Sequence, residues 1–80
     1  MDTSLAVSVE RIRANDPTLT YVDLRYNDIS AAGATALATA LHTNTSLTTL
    51  YLWQNNIDAA GATALATALH TNTSLSSIPL

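Results

Sequence analysis

The sequence has no cysteine, phenylalanine or lysine among its 80 residues, and it has only two glycines and two prolines. Without cysteine there are no disulfide bonds or cysteine-bound zinc, so a small apolar core must stabilise the fold unaided. Charged residues make up 11% of the chain, the net charge is −3, and the three basic side chains are arginines. Nucleic-acid-binding proteins cluster basic residues, so a nucleic-acid partner is not expected.

Long apolar runs are also missing. Threonine and glycine interrupt the alanine-rich segments, so no stretch reaches the roughly 18 residues that a membrane span needs. The N-terminus opens with the acidic Asp2 and lacks the apolar core of a signal peptide. No Ser/His/Asp or Cys/His set, phosphate-binding loop or carboxylate pair emerges. We therefore expect a soluble cytoplasmic protein that is not an enzyme and has no catalytic residues, metal or cofactor.

An internal repeat dominates what is present. When residues 19–46 are placed over residues 47–74, 21 of the 28 positions are identical. The 17-residue segment Ala31–Leu47 recurs unchanged at Ala59–Leu75. We predict a single domain with a capping helix or partial repeat at 1–18, full repeats at 19–46 and 47–74, and a partial repeat at 75–80.

Each repeat combines two periodicities. Val22 and Leu24 alternate with polar residues as in a half-buried strand, and Leu37 and Leu41 are four apart among alanines, as in a helix. Ser30 precedes this helix as an N-cap, and Asp58 has the same place in the second copy. The polar HTNTS run that ends each helix cannot extend the side of the helix that faces the core. The unit is thus strand, turn, helix, turn.

The pattern Leu-x-x-Val-x-Leu-x-x-Asn-x-Ile at Leu19–Ile29, repeated at Leu47–Ile57 with Leu for Val, resembles the leucine-rich-repeat signature. The 28-residue period, the full helix and a glycine after the turn (Gly33, Gly61) resemble the ribonuclease-inhibitor-like subclass. The resemblance implies an α/β solenoid: a short right-handed β-α superhelix with a three-stranded parallel sheet on the concave face and three helices on the convex face.

Two kinds of structural residue are expected in this frame. Asn27 and Asn55 follow the strands and should turn inward to bond backbone groups of the loop; the family resemblance implies that they form a ladder between neighbouring coils. Gly33 and Gly61 are expected to allow close approach to the next coil.

Seven positions differ between the repeats. Apart from the core exchange Val22/Leu50 and the cap exchange Ser30/Asp58, the differences cluster on the strand and the loop after it. Side chains that alternate with the core leucines point to the outer face of the sheet. Tyr, Trp and Arg are enriched at binding hot spots, and Arg25 and Trp53 are expected to make a cation–π pair. We therefore predict a concave protein-binding surface of Tyr21, Asp23, Arg25, Tyr26, Thr49, Tyr51, Trp53 and Gln54.

Other interpretations of these positions remain. Aromatic residues favour strands without any ligand, and solvent-facing positions diverge by drift. Asp23 and Arg25 can form a simple surface pair. His42 and His70 suit helix C-termini, and nothing nearby completes a metal site. Asn44-Thr45-Ser46 and Asn72-Thr73-Ser74 match the N-glycosylation pattern, but a polar turn is favoured.

The two ends of the chain differ. Leu5, Val9 and Ile12 of an N-terminal helix can cover the first coil, whereas Leu75, Ile78 and Leu80 have no following coil above them. Pro79 falls inside the last strand and suits an edge. Two outcomes follow: either the chain is a fragment of a longer solenoid, or it buries its open end against a second copy. Of the two we predict self-association, through these residues or the last helix. The favoured function is a protein-interaction scaffold that binds a peptide or protein surface; the alternative is a self-assembling repeat unit, natural or designed, whose main partner is itself.

Overall fold

The computed structural model describes residues 5–52 and 55–76. The elements alternate as the repeat pattern predicts: α1 (Leu5–Arg13), β1 (Tyr21–Asp23), α2 (Ala31–Thr43), β2 (Thr49–Tyr51) and α3 (Ala59–Thr71). α1 precedes the first strand and packs against α2, which in turn packs against α3.

Both repeat helices begin at the predicted caps. The hydroxyl of Ser30 accepts a hydrogen bond from the amide of Gly33 at 3.3 Å, and the carboxylate of Asp58 accepts one from the amide of Gly61 at 2.9 Å. These caps satisfy amide groups that have no partner inside a helix, so the helices start at equivalent residues. The predicted N-caps are confirmed.

The two strands form a parallel sheet in which each residue pairs with its copy 28 positions later, as Val22 does with Leu50. A third strand was predicted within residues 75–80. The amide of Ser76 donates to the carbonyl of Thr48 at 3.0 Å, as the amide of Thr48 donates to that of Thr20 at 2.9 Å. The rest of the predicted third strand, residues 77–80, lies outside the described residues.

The core lies between the sheet and the helices. It is built from one side of each strand and the inward sides of the helices; its fully buried large side chains are Ile12, Leu24, Ile29, Leu37, Leu41, Leu47, Leu50, Leu52 and Leu65. Ile12 belongs to α1 and caps this cluster, with Leu5 and Val9 packed against it. α1 thus contributes apolar side chains to the core beside the first strand.

Gly33 and Gly61 make close contacts, but with the preceding coil rather than the following one, so the predicted direction was wrong. A Cβ on Gly61 would lie 2.9 Å from the Cβ of Ala34 in α2. A Cβ on Gly33 would lie 2.8 Å from Cδ2 of Leu5 in α1. Each glycine lies in the first turn of its helix. Because it has no Cβ, the preceding helix can pack closely against it.

The asparagine in the polar run after each helix is buried, which the polar pattern did not predict. Asn44 is 2% exposed and Asn72 is 8% exposed. The Asn44 amide donates to the carbonyl of Ile12 at 3.0 Å, and its oxygen accepts the amides of Ser46 and Leu47. Asn44 therefore holds its own turn and joins it to the preceding coil. The same engagement of the amide nitrogen favours the polar-turn interpretation over a glycosylation site.

Candidate functional site

The outer face of the sheet carries the side chains that differ between the repeats. Because Val22 and Leu50 point into the core, their neighbours Tyr21 and Asp23, and Thr49 and Tyr51, point outward. Tyr21 is 51% exposed and Asp23, Thr49 and Tyr51 are partly exposed. The strand periodicity thus brings these four predicted site residues to one surface.

Two tyrosines form the centre of this surface. The ring centroids of Tyr21 and Tyr51 are 5.4 Å apart, with an interplanar angle of 87°, so the rings meet edge to face. Tyr21 pairs in register with Thr49, so its contact with Tyr51 runs diagonally across the two strands. This geometry is one that aromatic pairs prefer, and it fixes both rings while leaving half of Tyr21 in solvent.

Arg25 links the charged part of the surface to the aromatic part. Its guanidinium donates to both carboxylate oxygens of Asp23, at 2.9 and 2.7 Å, and its Cζ lies 5.6 Å from the centroid of the Tyr51 ring. Hydrogen bonds from Arg25 to the Asp23 carboxylate lower the pKa of Asp23, and the same bonds raise the pKa of Arg25. The pair is therefore ionised and internally neutralised.

The predicted partner of Arg25 was Trp53. Trp53 and Gln54 lie outside the described residues, so this contact remains a prediction. Arg25 makes an observed cation–π contact with Tyr51, which precedes Trp53 by two residues in the sequence. The sequence pattern predicted Tyr51 on this face but did not predict its contact with Arg25.

Tyr26 lies in the loop after β1 and is 75% exposed. Its φ is 59° and that of Asp28 is 52°, a left-handed conformation that is costly for residues with a Cβ. Between them, the amide of Asn27 donates to the side-chain oxygen of Asn55 at 3.0 Å, and so does the amide of Ile29. The second repeat therefore holds the loop that presents Tyr26.

Asn55 also reaches backward with its amide nitrogen, which donates to the carbonyls of Leu24 at 2.8 Å and Leu52 at 3.0 Å. It thus bridges two coils, as the family resemblance implies. Asn27 differs, because its side-chain amide donates to the carbonyl of Arg25 within its own loop at 3.0 Å. The two ladder residues stand at the same repeat position but join different partners.

The helix side of the molecule offers less chemistry. A shallow groove between α2 and α3 is lined by alanines and threonines with His42, whose Nδ1 lies 3.1 Å from the hydroxyl of Thr71. Within residues 5–52 and 55–76 no three His, Cys, Asp or Glu side chains are grouped so that they could hold a metal ion. In the same part of the chain, no helix is long and apolar enough to span a membrane.

Comparison with known structures and families agrees with this architecture. The chain is similar to a solved structure of the actin-binding site 2 of leiomodin-1, with a TM-score of 0.64 and 22% identity. The match covers 98% of this chain and 62% of the leiomodin-1 chain, so this chain spans less than two thirds of the length of the leiomodin-1 chain. No curated protein sequence matches the chain.

A family model described as "Leucine Rich repeat" matches residues 15–38 and 43–66, which are more than half of the chain. The two matched segments begin 28 residues apart, the same interval that separates the paired residues of β1 and β2. The chain belongs to the leucine-rich-repeat family.

Proposed function

We propose that the protein is a non-catalytic interaction scaffold that binds a peptide or protein surface on the outer face of its sheet. The observation that carries this proposal is the Tyr21–Tyr51–Arg25 cluster, in which two rings and a guanidinium are held in fixed contact and remain accessible. Side chains that are ordered before binding lose little conformational entropy when a partner arrives.

The distribution of the differences between the repeats supports the same surface. The helix, its following turn and the core leucines are copied almost without change, whereas Tyr21, Asp23 and Arg25 are replaced by Thr49, Tyr51 and Trp53. If the outer face served only to stabilise the fold, both repeats could have the same residues there. Apart from the core exchange of Val22 for Leu50 and the cap exchange of Ser30 for Asp58, the differences lie on the strand and the loop after it. Variation concentrated there is typical of a surface that contacts something other than the protein itself.

The charge of this surface indicates the chemistry of the partner. Asp23 and Arg25 neutralise each other, so the surface offers aromatic area and hydrogen-bonding groups rather than a net charge. Tyr is suited to such mixed contacts because its ring is apolar and its hydroxyl bonds polar atoms. We infer a partner segment with apolar or aromatic side chains and accessible backbone polar groups.

The test is selection of peptides from a random library on the immobilised protein, followed by measurement of their affinity for variants. Tyr51→Ala should weaken binding by about 2 kcal/mol or more, the scale of a hot-spot residue, and Trp53→Ala should do the same. Thr67→Ala, an exposed change on the helix side, is the matched control and should bind normally.

Far-ultraviolet circular dichroism must show the same helix content in all variants. If Tyr51→Ala binds the selected peptides as well as the original chain does, the outer face is not the binding surface. If Tyr51→Ala unfolds the protein, the ring pair serves sheet packing, and the proposal loses its main support.

One specific protein can be tested directly. The similar leiomodin-1 structure is that of an actin-binding site. At 22% identity, the similarity shows a shared fold and nothing more. We propose actin as the first candidate partner for a binding assay, with Tyr51→Ala as the control. A lack of binding to actin would remove this partner and leave the peptide selection to decide whether the face binds at all.

The finer architecture is part of the proposal. We propose a right-handed solenoid of the ribonuclease-inhibitor-like subclass, with the sheet on its concave face and a third strand in residues 75–80. Its units would be 1–18, 19–46, 47–74 and 75–80. The 28-residue register of β1 and β2 and the start of pairing at Ser76 support this division.

Self-assembly is a second candidate function, and one comparison within the chain favours it. Leu47 is completely buried, whereas its copy Leu75 is only partly buried. We expect a second molecule to pack against Leu75. The other two predicted contact residues, Ile78 and Leu80, lie outside the described residues.

A further inference from the structure

The helices α2 and α3 have the same 13-residue sequence but differ in what is buried. Ala34 and Ala38 of α2 are 0% and 6% exposed, whereas their copies Ala62 and Ala66 in α3 are exposed. Because the side chains are identical, the difference comes from neighbouring structure alone. The difference in burial therefore identifies the residues of one repeat that the following repeat covers.

The covering element is α3 itself. Gly61 sits so close to Ala34 that an added Cβ would lie 2.9 Å from the Cβ of Ala34. The outer side of α2 is therefore a surface that accepts another helix at short distance, because alanine keeps the backbones close. The outer side of α3 presents the same alanines in the same helical positions, and we call Ala62, Ala66 and Leu69 the end face.

The charge pattern favours a second copy of this chain as its partner. Between Ala59 and Ser76 the sequence contains no Asp, Glu, Lys or Arg, so two end faces can meet without repulsion between like charges. The opposite end of the stack is covered by α1, which turns Glu10, Arg11 and Arg13 to solvent. A charged surface of this kind does not match the alanines of the end face.

We propose that two molecules associate end face to end face, with the two copies of α3 packed antiparallel about a two-fold axis. This inference rests on the self-assembly proposed above and assigns it a surface and a symmetry. Antiparallel packing opposes the two helix dipoles and lets alanines approach to interaxial distances of about 8 Å. Since only equivalent faces meet, the assembly closes at two copies.

The first experiment measures mass by sedimentation equilibrium over about 1–100 µM, a range in which a modest apolar contact is partly dissociated. The 80-residue chain should pass from monomer to dimer. Ala62→Glu would place a charge in the contact and should raise the dimer dissociation constant by at least about tenfold. Ala60→Glu is the matched control: Ala60 is exposed, and so is its copy Ala32, which α3 does not cover.

A second experiment keeps the inference testable if Ala62→Glu disturbs folding. The chain has no cysteine, so a single substitution gives an unambiguous cross-link. Under mild oxidation Ala66→Cys should form a disulfide-linked dimer much faster than Ala60→Cys, because only the first places two thiols near the two-fold axis.

The outcomes separate the two levels of the proposal. Loss of the dimer in Ala62→Glu but not in Ala60→Glu, with preferential cross-linking at residue 66, supports the end face. A dimer that is unaffected by Ala62→Glu and shows no such preference overturns this surface but leaves self-assembly standing. A chain that stays monomeric throughout the range overturns both, and growth into larger species overturns the closed two-fold arrangement.

Discussion

The side-chain amide of Asn72 donates a hydrogen bond of 2.9 Å to the backbone carbonyl of Asn44, the residue that holds the same position one repeat earlier. It donates a second of 2.7 Å to the carbonyl of Leu41. The turns that follow the helices are thus tied to each other through the interior. This second series of asparagines complements Asn55, which joins the loops after the strands.

Replacing Asn44 should be costly because its partners are buried. Asn44→Ala would leave the carbonyl of Ile12 and the amides of Ser46 and Leu47 without this side chain, so we expect a loss of about 1–3 kcal/mol in the free energy of unfolding. Urea denaturation measures it. Asn56→Ala, at an exposed residue, should change stability by less than about 0.5 kcal/mol. Equal effects of the two substitutions would contradict the interior tie.

Asn27 and Asn55 share a repeat position, but their replacement should differ in cost. Asn55→Ala removes bonds to both coils, including those from the amides of Asn27 and Ile29, and should destabilise the protein by about 1–3 kcal/mol. Asn27→Ala removes the contact with the carbonyl of Arg25 in its own loop and should cost less. Chemical denaturation of both variants measures the two losses in the free energy of unfolding. A larger loss for Asn27→Ala would contradict the idea that these asparagines stabilise the protein by linking neighbouring coils.

The two glycines should differ in how far alanine destabilises the protein. At Gly61 the new methyl would meet the Cβ of Ala34 at 2.9 Å, which cannot move without the helix, so we expect a loss of about 1–3 kcal/mol. At Gly33 the nearest atom is the flexible end of Leu5, and the gain in helix propensity of about 0.5–1 kcal/mol offsets the crowding. Thermal unfolding should show Gly61→Ala clearly below the original chain and Gly33→Ala close to it.

Stability should fall in acid partly through Asp16. Hydrogen bonds from the hydroxyl and amide of Thr18, and then from Arg11, lower its pKa from 3.8 to about 2. A carboxyl whose pKa is lower in the folded state stabilises the fold above its unfolded pKa and loses that effect as pH falls through its folded pKa. The contribution of Asp16 is therefore present above pH 3.8 and fades toward pH 2.

Unfolding midpoints measured from about pH 6 down to 2 test this assignment. Asp16→Asn should be less stable than the original chain at the upper end of the range and should converge with it at the lower end. Asp28→Asn removes the same charge from an exposed position and controls for the change in net charge. If the unfolding midpoints of Asp16→Asn and of the original chain fall in parallel as the pH is lowered, Asp16 does not contribute to the loss of stability in acid.

The neutralised Asp23–Arg25 pair predicts how binding depends on salt. Affinity for a selected peptide should change little between about 50 and 500 mM salt, because the surface has no net charge to be screened. Arg25→Ala leaves the Asp23 carboxylate unpaired, so affinity should become sensitive to salt. Isothermal titration at the two salt concentrations provides the measurement, and a steep salt dependence of the original chain would contradict the neutral surface.

The periodicity of the sequence was enough to predict the repeat unit, the caps at Ser30 and Asp58 and the tyrosines on the outer face. These features depend on side-chain alternation and local hydrogen bonds, which are encoded within a few residues. The burial of Asn44 and Asn72 was not predicted, because asparagine in a polar run is typical of an exposed turn. Two features of the sequence could have indicated this burial. The asparagines recur at a 28-residue interval, and the carbonyl groups at the end of the preceding helix need hydrogen-bond donors.

The contacts of Arg25 were predicted only in part. Its position beside Asp23 follows from strand alternation, but its contact with the Tyr51 ring depends on side-chain rotamers, which the sequence pattern does not specify. The left-handed conformation at Tyr26 was also beyond sequence reasoning, since tyrosine rarely adopts it. It is stabilised by Asn55, which is distant in sequence, and such long-range constraints are not visible in a local pattern.

The joints between coils have a consequence for how the molecule can change in length. Asn44 and Asn72, like Thr48 and Ser76, bind backbone groups of the coil before them, and backbone groups do not depend on side-chain identity. An additional 28-residue unit inserted after Ser46 would meet the same atoms on both sides without any other substitution. Insertion and deletion of whole units is therefore an easy path of evolution for this chain, and the outer face can diversify independently in each new unit.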